Sequence, residues 1–145
     1  MRKIVFFLSF LLIISCDESS DSQIGKKIKE VCTTQNCEIN MTDIVPEQWD
    51  YMYIFKTGAS LEFINSKLGF QYPYFEDIGN RMIFVKGNNV IYHEDEFPNP
   101  ERIKKGEVIF DLGDSIYTKV KRENAIFSVH SEGEYFKLHL VKNFD

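Results

Sequence analysis

The sequence lacks the patterns that mark the common catalytic and nucleotide-binding sites. It contains no nucleophile elbow, no phosphate loop, no zincin motif and no paired glycines of a nucleotide site. Histidine is scarce, with three in the chain. We predict that His130 and His139 lie about four residues apart along one hairpin face, on the order of 13 Å, which is too far to share one metal ion. These absences predict a protein that is not an enzyme and needs no cofactor.

An apolar stretch long enough to span a membrane, ~20 residues, is also missing. The longest apolar run, residues 4–14, is interrupted once. It follows the basic pair Arg2 and Lys3 and ends at Ser15. A charged start, a short apolar middle and a small residue before the cut are typical of a cleaved secretory signal. We predict that residues 1–15 are a signal peptide.

The end of this signal, from Ile13 to Cys16, resembles the lipobox of bacterial lipoproteins. In that motif an aliphatic residue, a tolerant position and a small residue precede an obligatory cysteine. The resemblance implies that the Cys16 thiol carries a diacylglyceryl group and that a peptidase cuts before this residue. Acyl chains contribute about 0.8 kcal/mol per buried CH2, so two or three of them hold a domain on a bilayer. The alternative is an ordinary cleaved signal in which Cys16 is incidental.

Basic residues are outnumbered by acidic ones. The chain has 17 Lys and Arg against 22 Asp and Glu, and removal of Arg2 and Lys3 with the signal leaves 15 against 22, a net charge of −7. Because phosphate binding needs a basic face, this balance excludes nucleic acid as the partner. It also disfavours broad adhesion to anionic lipid, so the lipid anchor rather than charge is expected to hold the protein at its membrane.

Cysteine is limited to three residues. If the lipid occupies Cys16, Cys32 and Cys37 remain, separated by four residues. In an oxidising envelope such a pair predicts a disulfide, and closing so short a loop stabilises the fold by roughly 2 kcal/mol. A metal site is the competing interpretation, but it lacks further thiols, and the first histidine is the distant His93. We expect the disulfide and no metal.

The remaining chain has the length of one domain. Residues 16–23 form the lipidated cysteine and a polar, flexible tether, and residues 24–145 form a single domain. Asp17 resembles an inner-membrane retention signal of some bacteria. The acidic cluster of Asp17, Glu18 and Asp21 instead resembles a surface-export signal of others. The periplasmic face and the cell surface therefore both stay open as the location of the anchored protein.

Hydrophobic periodicity predicts an α+β domain with a single antiparallel β-sheet of about six to eight strands and two short helices. The helices are predicted at residues 24–32 and 61–68, the second between Ser60 as N-cap and Gly69 as C-cap. The predicted strands cover residues 38–45, 49–55, 82–85, 90–93, 108–112, 116–120, 125–130 and 135–140. Two connections predict hairpins, at Gly87-Asn88 and at Glu132-Gly133.

The run from Trp49 to Phe55 is the most strand-like in the chain. One face is predicted to hold Trp49, Tyr51, Tyr53 and Phe55. Apolar residues occupy the other face too, so we expect a central strand covered on both sides. With the helix that follows, this W-D-x-x-Y-x-F strand resembles a pattern in small uncharacterised bacterial lipoproteins. The resemblance implies no activity, and its matching residues are Trp49, Asp50, Tyr53, Phe55, Leu68 and Gly69.

An aromatic connector follows this helix, with Tyr72, Tyr74 and Phe75 in close succession. These residues are candidate partner contacts, because tyrosines supply rigid area at interfaces. The alternative is that they fold back over the sheet as part of the core.

Four polar residues in a row, His93, Glu94, Asp95 and Glu96, end a predicted strand. Consecutive side chains of a strand point to opposite faces, so only half of the four converge on one side. A calcium-type site needs six to eight oxygens, more than that half supplies. We expect an acidic, solvated strand end, with an ion site on His93, Glu94 and Glu96 as the weaker alternative.

These features together predict a lipid-anchored cell-envelope lipoprotein that binds another envelope protein without catalysis. An inhibitor, an immunity-type protein and an accessory subunit all belong to this class. One alternative is a small ion-binding protein or enzyme that uses residues 93–96. Another is a purely structural envelope lipoprotein. Because function must be read from a site, the sequence does not choose the partner.

Overall fold

The structure is a computed structural model that describes residues 22–77, 79–96, 106–133 and 135–141. The predicted signal peptide, Cys16 and most of the predicted tether lie outside the described residues. No helix of the described ranges is long and apolar enough to cross a membrane.

Short helices and strands alternate along the described chain. The helices are α1 (Gln23–Val31), α2 (Met41–Ile44) and α3 (Leu61–Leu68), with a 3₁₀ turn at Arg122–Asn124. The strands are β1 (Asn36–Asn40), β2 (Tyr51–Phe55), β3 (Asn80–Lys86), β4 (Asn89–Glu96), β5 (Glu107–Asp111), β6 (Tyr117–Lys121), β7 (Ile126–Glu132) and β8 (Tyr135–Leu140).

The strands form two sheets, so the prediction of a single antiparallel sheet is wrong. Among the described residues the first sheet has the order β1-β7-β8-β5 and the second has the order β4-β3-β2-β6. The pairing of β5 with β8 is parallel, and the other pairings are antiparallel. The chain leaves β5 through a turn at Gly113, where φ is +57°, and enters β6 in the other sheet. An alternating pattern shows which face a strand buries, but it does not show which strand it pairs with.

The inner faces of both sheets share one hydrophobic core with α1 and α2. A second cluster lies on the outer face of the second sheet, under α3 and the connector that follows it. Strand β2 serves both, because Met52 and Ile54 belong to the core while Tyr53 and Phe55 belong to the outer cluster. The predicted central strand covered on both sides is confirmed.

Trp49 departs from its predicted face. It lies before β2, donates a 3.0 Å hydrogen bond from Nε1 to the Val45 carbonyl, and packs edge-on against Phe84, with ring centroids 5.1 Å apart. Trp49 and Phe84 both belong to the core between the sheets. The period of two therefore does not extend back to Trp49, because the strand begins only at Tyr51.

The predicted helices are confirmed, and local capping explains their ends. The Ser60 hydroxyl accepts a 3.2 Å hydrogen bond from the Phe63 amide, and Gly69 ends α3 with a left-handed φ of +81°. The predicted strand at residues 38–45 is half wrong, since only its first part lies in β1. The Asn40 side chain accepts a 3.0 Å hydrogen bond from the Thr42 amide and begins α2 there.

Both predicted hairpins are confirmed. The β3–β4 pair turns at Gly87, where φ is +56°, and the β7–β8 pair turns at Gly133, where φ is +70°. In the second hairpin His139 lies opposite Ser128. His130 and His139 are therefore two positions apart along the strands, not the four that we predicted.

Candidate contact site

The register of β3 and β4 divides the four polar residues at the end of β4 between two faces. Arg81 lies opposite Asp95, and Ile83 lies opposite His93. Ile83 belongs to the outer cluster, so His93 and Asp95 share the outer face of the second sheet with Arg81. Glu94 and Glu96 point to the other face, toward the core between the sheets.

The connector after α3 folds over this outer face. Its Tyr72 is 3 % exposed, and the Tyr72 amide donates a 2.7 Å hydrogen bond to Asn65 Oδ1 in α3. The Tyr72 ring packs edge-on against Tyr74 at 5.8 Å and against His93 at 6.0 Å between centroids. For Tyr72, packing as part of the core is therefore the arrangement that the structure shows.

Tyr74 is the exposed member of the connector. Its ring stacks on the imidazole of His93, with centroids 4.2 Å apart and planes inclined by 12°. The residue nevertheless stays 49 % exposed. A ring held on one side and open on the other offers contact area without further loss of side-chain freedom.

Beneath Tyr72 and Phe75 lies a buried arginine that the sequence did not single out. Arg81 is 2 % exposed, and its guanidinium lies 4.7 Å from the Phe75 ring and 5.8 Å from the Tyr72 ring. Nη2 donates to the carbonyl of Glu76, and Nε lies 3.7 Å from Asp95 Oδ1. Cation–π contacts and an ion pair together offset the cost of burying this charge.

We call Tyr72, Tyr74, Phe75, Arg81, His93 and Asp95 the Tyr74 site. Several of its buried polar atoms have no hydrogen-bond partner among the described residues. These atoms are Tyr72 Oη, Arg81 Nε and Nη1, His93 Nδ1 and Asp95 Oδ1. Two of them, Arg81 Nε and Asp95 Oδ1, face each other in the 3.7 Å ion pair. Buried polar atoms are almost always bonded in folded proteins, so a set of them in one place is unusual. The site thus combines an exposed aromatic ring with donors and an acceptor below it.

Burial raises the pKa of two groups in this site, the Asp95 carboxyl and the Tyr72 hydroxyl. It raises the pKa of the Asp95 carboxyl above its ordinary value, and the charges of Arg81 and His93 act in the opposite direction. Burial, followed by the charge of Asp95, also raises the pKa of the Tyr72 hydroxyl, which therefore stays a donor.

No protein-family model, no curated protein and no solved structure matches this chain.

The structure does not bring His93, Glu94 and Glu96 together. Glu94 Oε2 accepts hydrogen bonds from the Ile24 amide at 3.3 Å and from the Tyr92 hydroxyl at 2.6 Å. Glu96 Oε1 accepts one from the Val108 amide at 3.1 Å. Both glutamates thus bind other elements of the core, while His93 lies on the outer face. Within the described ranges no three His, Cys, Asp or Glu residues are placed to hold a metal ion.

The two cysteines predicted to form a disulfide lie close together. Cys32 and Cys37 lie at disulfide distance with Cα atoms 5.8 Å apart, and they join the end of α1 to β1.

The two hairpin histidines contact different partners. His130 Nδ1 contacts Asn36 Oδ1, and His139 Nδ1 lies 3.5 Å from Asp111 Oδ2.

Proposed function

We propose that this protein is a lipid-anchored lipoprotein of the cell envelope that binds another envelope protein without catalysis, through the Tyr74 site. The observation that carries the proposal is that the Tyr74 ring is half exposed and yet fixed by stacking on His93. Tyrosine is one of the side chains that most often dominate protein interfaces, and Tyr74 is a tyrosine held by packed neighbours.

The anchor is supported by the sequence that ends at Cys16, which resembles a lipobox. Ser22, the N-cap of α1, follows Cys16 by six positions. A chain of this length reaches at most about 20 Å. A lipid on Cys16 would therefore keep the domain beside the membrane and restrict its partners to proteins of the same envelope.

The contact is supported by what a partner would gain at the Tyr74 site. An apolar or aromatic group of the partner would cover the exposed ring of Tyr74 and exclude water around it. Arg81 and Asp95 lie too deep to reach a partner, and they instead support the connector that presents Tyr74.

Site-specific photocrosslinking in living cells tests this proposal. A photoreactive amino acid replaces Tyr74 in one strain and Ser128, an exposed residue on the outer face of the first sheet, in the control strain. We expect one envelope protein to be joined at position 74 and not at position 128. Against that purified partner, Tyr74→Ala should weaken binding about tenfold or more, and Ser128→Ala should leave it unchanged.

Two results would contradict the proposal. One is the same set of adducts at both positions, which would indicate random collisions. The other is a captured partner whose affinity does not change in Tyr74→Ala, which would mean that the contact lies elsewhere.

A further inference from the structure

A cavity lies between the two sheets, where the ends of β2 and β4 face β5. Its volume is about 320 Å³, at the lower end of the range for small-molecule sites. Side chains from both sheets line it, among them Ile54, Met82, Val108, Phe110 and Leu112. An apolar wall of this kind favours a ligand with a hydrocarbon body.

Glu96 supplies the carboxyl group of the lining, which also includes the polar residues Lys56, Thr57, Asn80 and Arg81. Glu96 is 9 % exposed, and its Oε1 accepts the 3.1 Å hydrogen bond from the Val108 amide. Burial raises the pKa of Glu96 from its ordinary 4.5 to about 8. The hydrogen bonds from the Val108 amide and the Ser22 side chain oppose this rise, and the charges of Glu94 and Glu107 add to it. The surroundings of Glu96 therefore disfavour a further negative charge and favour a positive one.

The other cationic and amide residues of the lining already have partners. Arg81 belongs to the lining, but its guanidinium lies on the outer face of the sheet, where it contacts Asp95, the Glu76 carbonyl and the Phe75 ring. Lys56 Nζ donates a hydrogen bond to the Gly113 carbonyl. Asn80 Oδ1 accepts from both the amide and the hydroxyl of Thr57, at 2.8 Å and 3.1 Å. Lys56 is bonded at an exposed position, whereas Glu96 is buried. A charge on the ligand therefore gains more at Glu96, where water screens less.

We propose that this cavity binds a small amphipathic primary amine, whose ammonium group pairs with Glu96 and whose apolar body packs between Met82 and Val108. A buried carboxylate is costly without a counter-charge, and the ammonium supplies one together with a charge-assisted hydrogen bond. The cavity opens on the inner face of the second sheet and the Tyr74 site on its outer face, and Arg81 belongs to both. The proposal uses Glu96 and the apolar lining, and it does not need the proposed protein contact.

Three fluorinated probes of nearly equal size and different charge test the proposal. They are 4-fluorophenethylamine, 2-(4-fluorophenyl)ethanol and 4-fluorophenylacetate, titrated into the detergent-solubilised full-length chain and followed by fluorine NMR, with empty micelles as background. We expect the amine to bind about tenfold or more tightly than the alcohol, and the carboxylate to bind weakest. Glu96→Gln should lower the affinity for the amine to that for the alcohol and leave the alcohol unchanged.

A second variant tests the location of the binding site without changing the charge of Glu96. Leu112→Trp fills the half-buried rim of the cavity and should weaken the amine and the alcohol alike, about tenfold. Circular dichroism and thermal melting check that both variants fold. Four results would overturn the proposal: no saturable binding of the amine, equal binding of amine and alcohol, tightest binding of the carboxylate, or a charge preference that survives in Glu96→Gln. Probe affinities unchanged in Leu112→Trp would also overturn it, because binding would then occur elsewhere.

Discussion

Replacing Glu96 with glutamine should stabilise the protein, and the gain should grow as the pH rises. The carboxyl group is buried and accepts the hydrogen bond of the Val108 amide. Burial, helped by the charges of Glu94 and Glu107, outweighs the hydrogen bonds from Val108 and Ser22 and raises its pKa from 4.5 to about 8. Glutamine keeps an oxygen that accepts the same hydrogen bond but has no proton to lose.

The sign follows from the protons bound in each state. Between pH 4.5 and about pH 8 the folded protein holds a proton on Glu96 that the unfolded chain has released. Raising the pH through this window therefore lowers the free energy of unfolding, by about 1.4 kcal/mol per pH unit. Over the whole window the loss is on the order of 5 kcal/mol. Above the folded pKa no further loss occurs.

Urea unfolding near pH 5 and near pH 8 measures this effect, with wild type and Glu96→Gln compared at each pH. The variant should be close to wild type at the acidic pH and several kcal/mol more stable at the alkaline one. Glu123→Gln is the matched control, because the Glu123 side chain is 68 % exposed and lies 3.8 Å from Lys121. Its effect should stay within about 0.5 kcal/mol at both pH values. A gain in Glu96→Gln that is the same at both pH values would refute the reasoning.

Three further changes test the packing. Helix propensity alone predicts that Gly25→Ala stabilises α1 by about 0.5–1 kcal/mol. A Cβ at this position would, however, lie 1.8 Å from the Gly106 carbonyl oxygen, so we expect the free energy of unfolding measured with urea to fall by about 2 kcal/mol. A gain in stability would contradict the docking of α1. Arg81→Met should cost about 3 kcal/mol, because it leaves the Asp95 side chain, which is 11 % exposed, without its counter-charge. Adding Asp95→Leu should recover most of that in thermal melts, and an equal loss in the double variant would contradict the pairing. Cys37→Ser should cost roughly 2 kcal/mol, and alkylation of the native wild-type protein should label neither cysteine of the pair.

Local patterns predicted the elements whose cause is local. Ser60 and Gly69 fix the two ends of α3 through capping and a left-handed turn, and both are visible in the sequence. The hairpin at Gly87 is a similar case. Alternation also identified β2 as a strand covered on both faces, because a run with apolar side chains on both sides needs two layers.

The arrangement of the sheets could not be predicted in this way. Strands β5 and β6 follow each other in the chain, yet they belong to different sheets, and β5 instead pairs in parallel with β8. That choice depends on contacts between residues far apart in sequence, which a period of two does not encode. Neither did periodicity reveal the division between β1 and α2, where the Asn40 side chain caps a short helix.

The candidate site was predicted in part. The sequence marked Tyr72, Tyr74 and Phe75 as an aromatic connector, and the structure shows that only Tyr74 combines exposure with a fixed ring. Arg81 carried no signal beyond being a charged residue at the start of a strand. Its burial depends on Asp95 lying opposite it in β4 and on the connector folding back over it. Neither follows from the residues around Arg81.

The proposed role rests on a lipid at Cys16, because without it the domain is a free protein with no reason to meet a membrane partner. Intact mass spectrometry of the protein purified from cell membranes tests this most directly. We predict a chain that begins at Cys16 and carries the added mass of a diacylglyceryl group, with or without a third acyl chain. A chain that begins at another residue, or an unmodified thiol on Cys16, would contradict it.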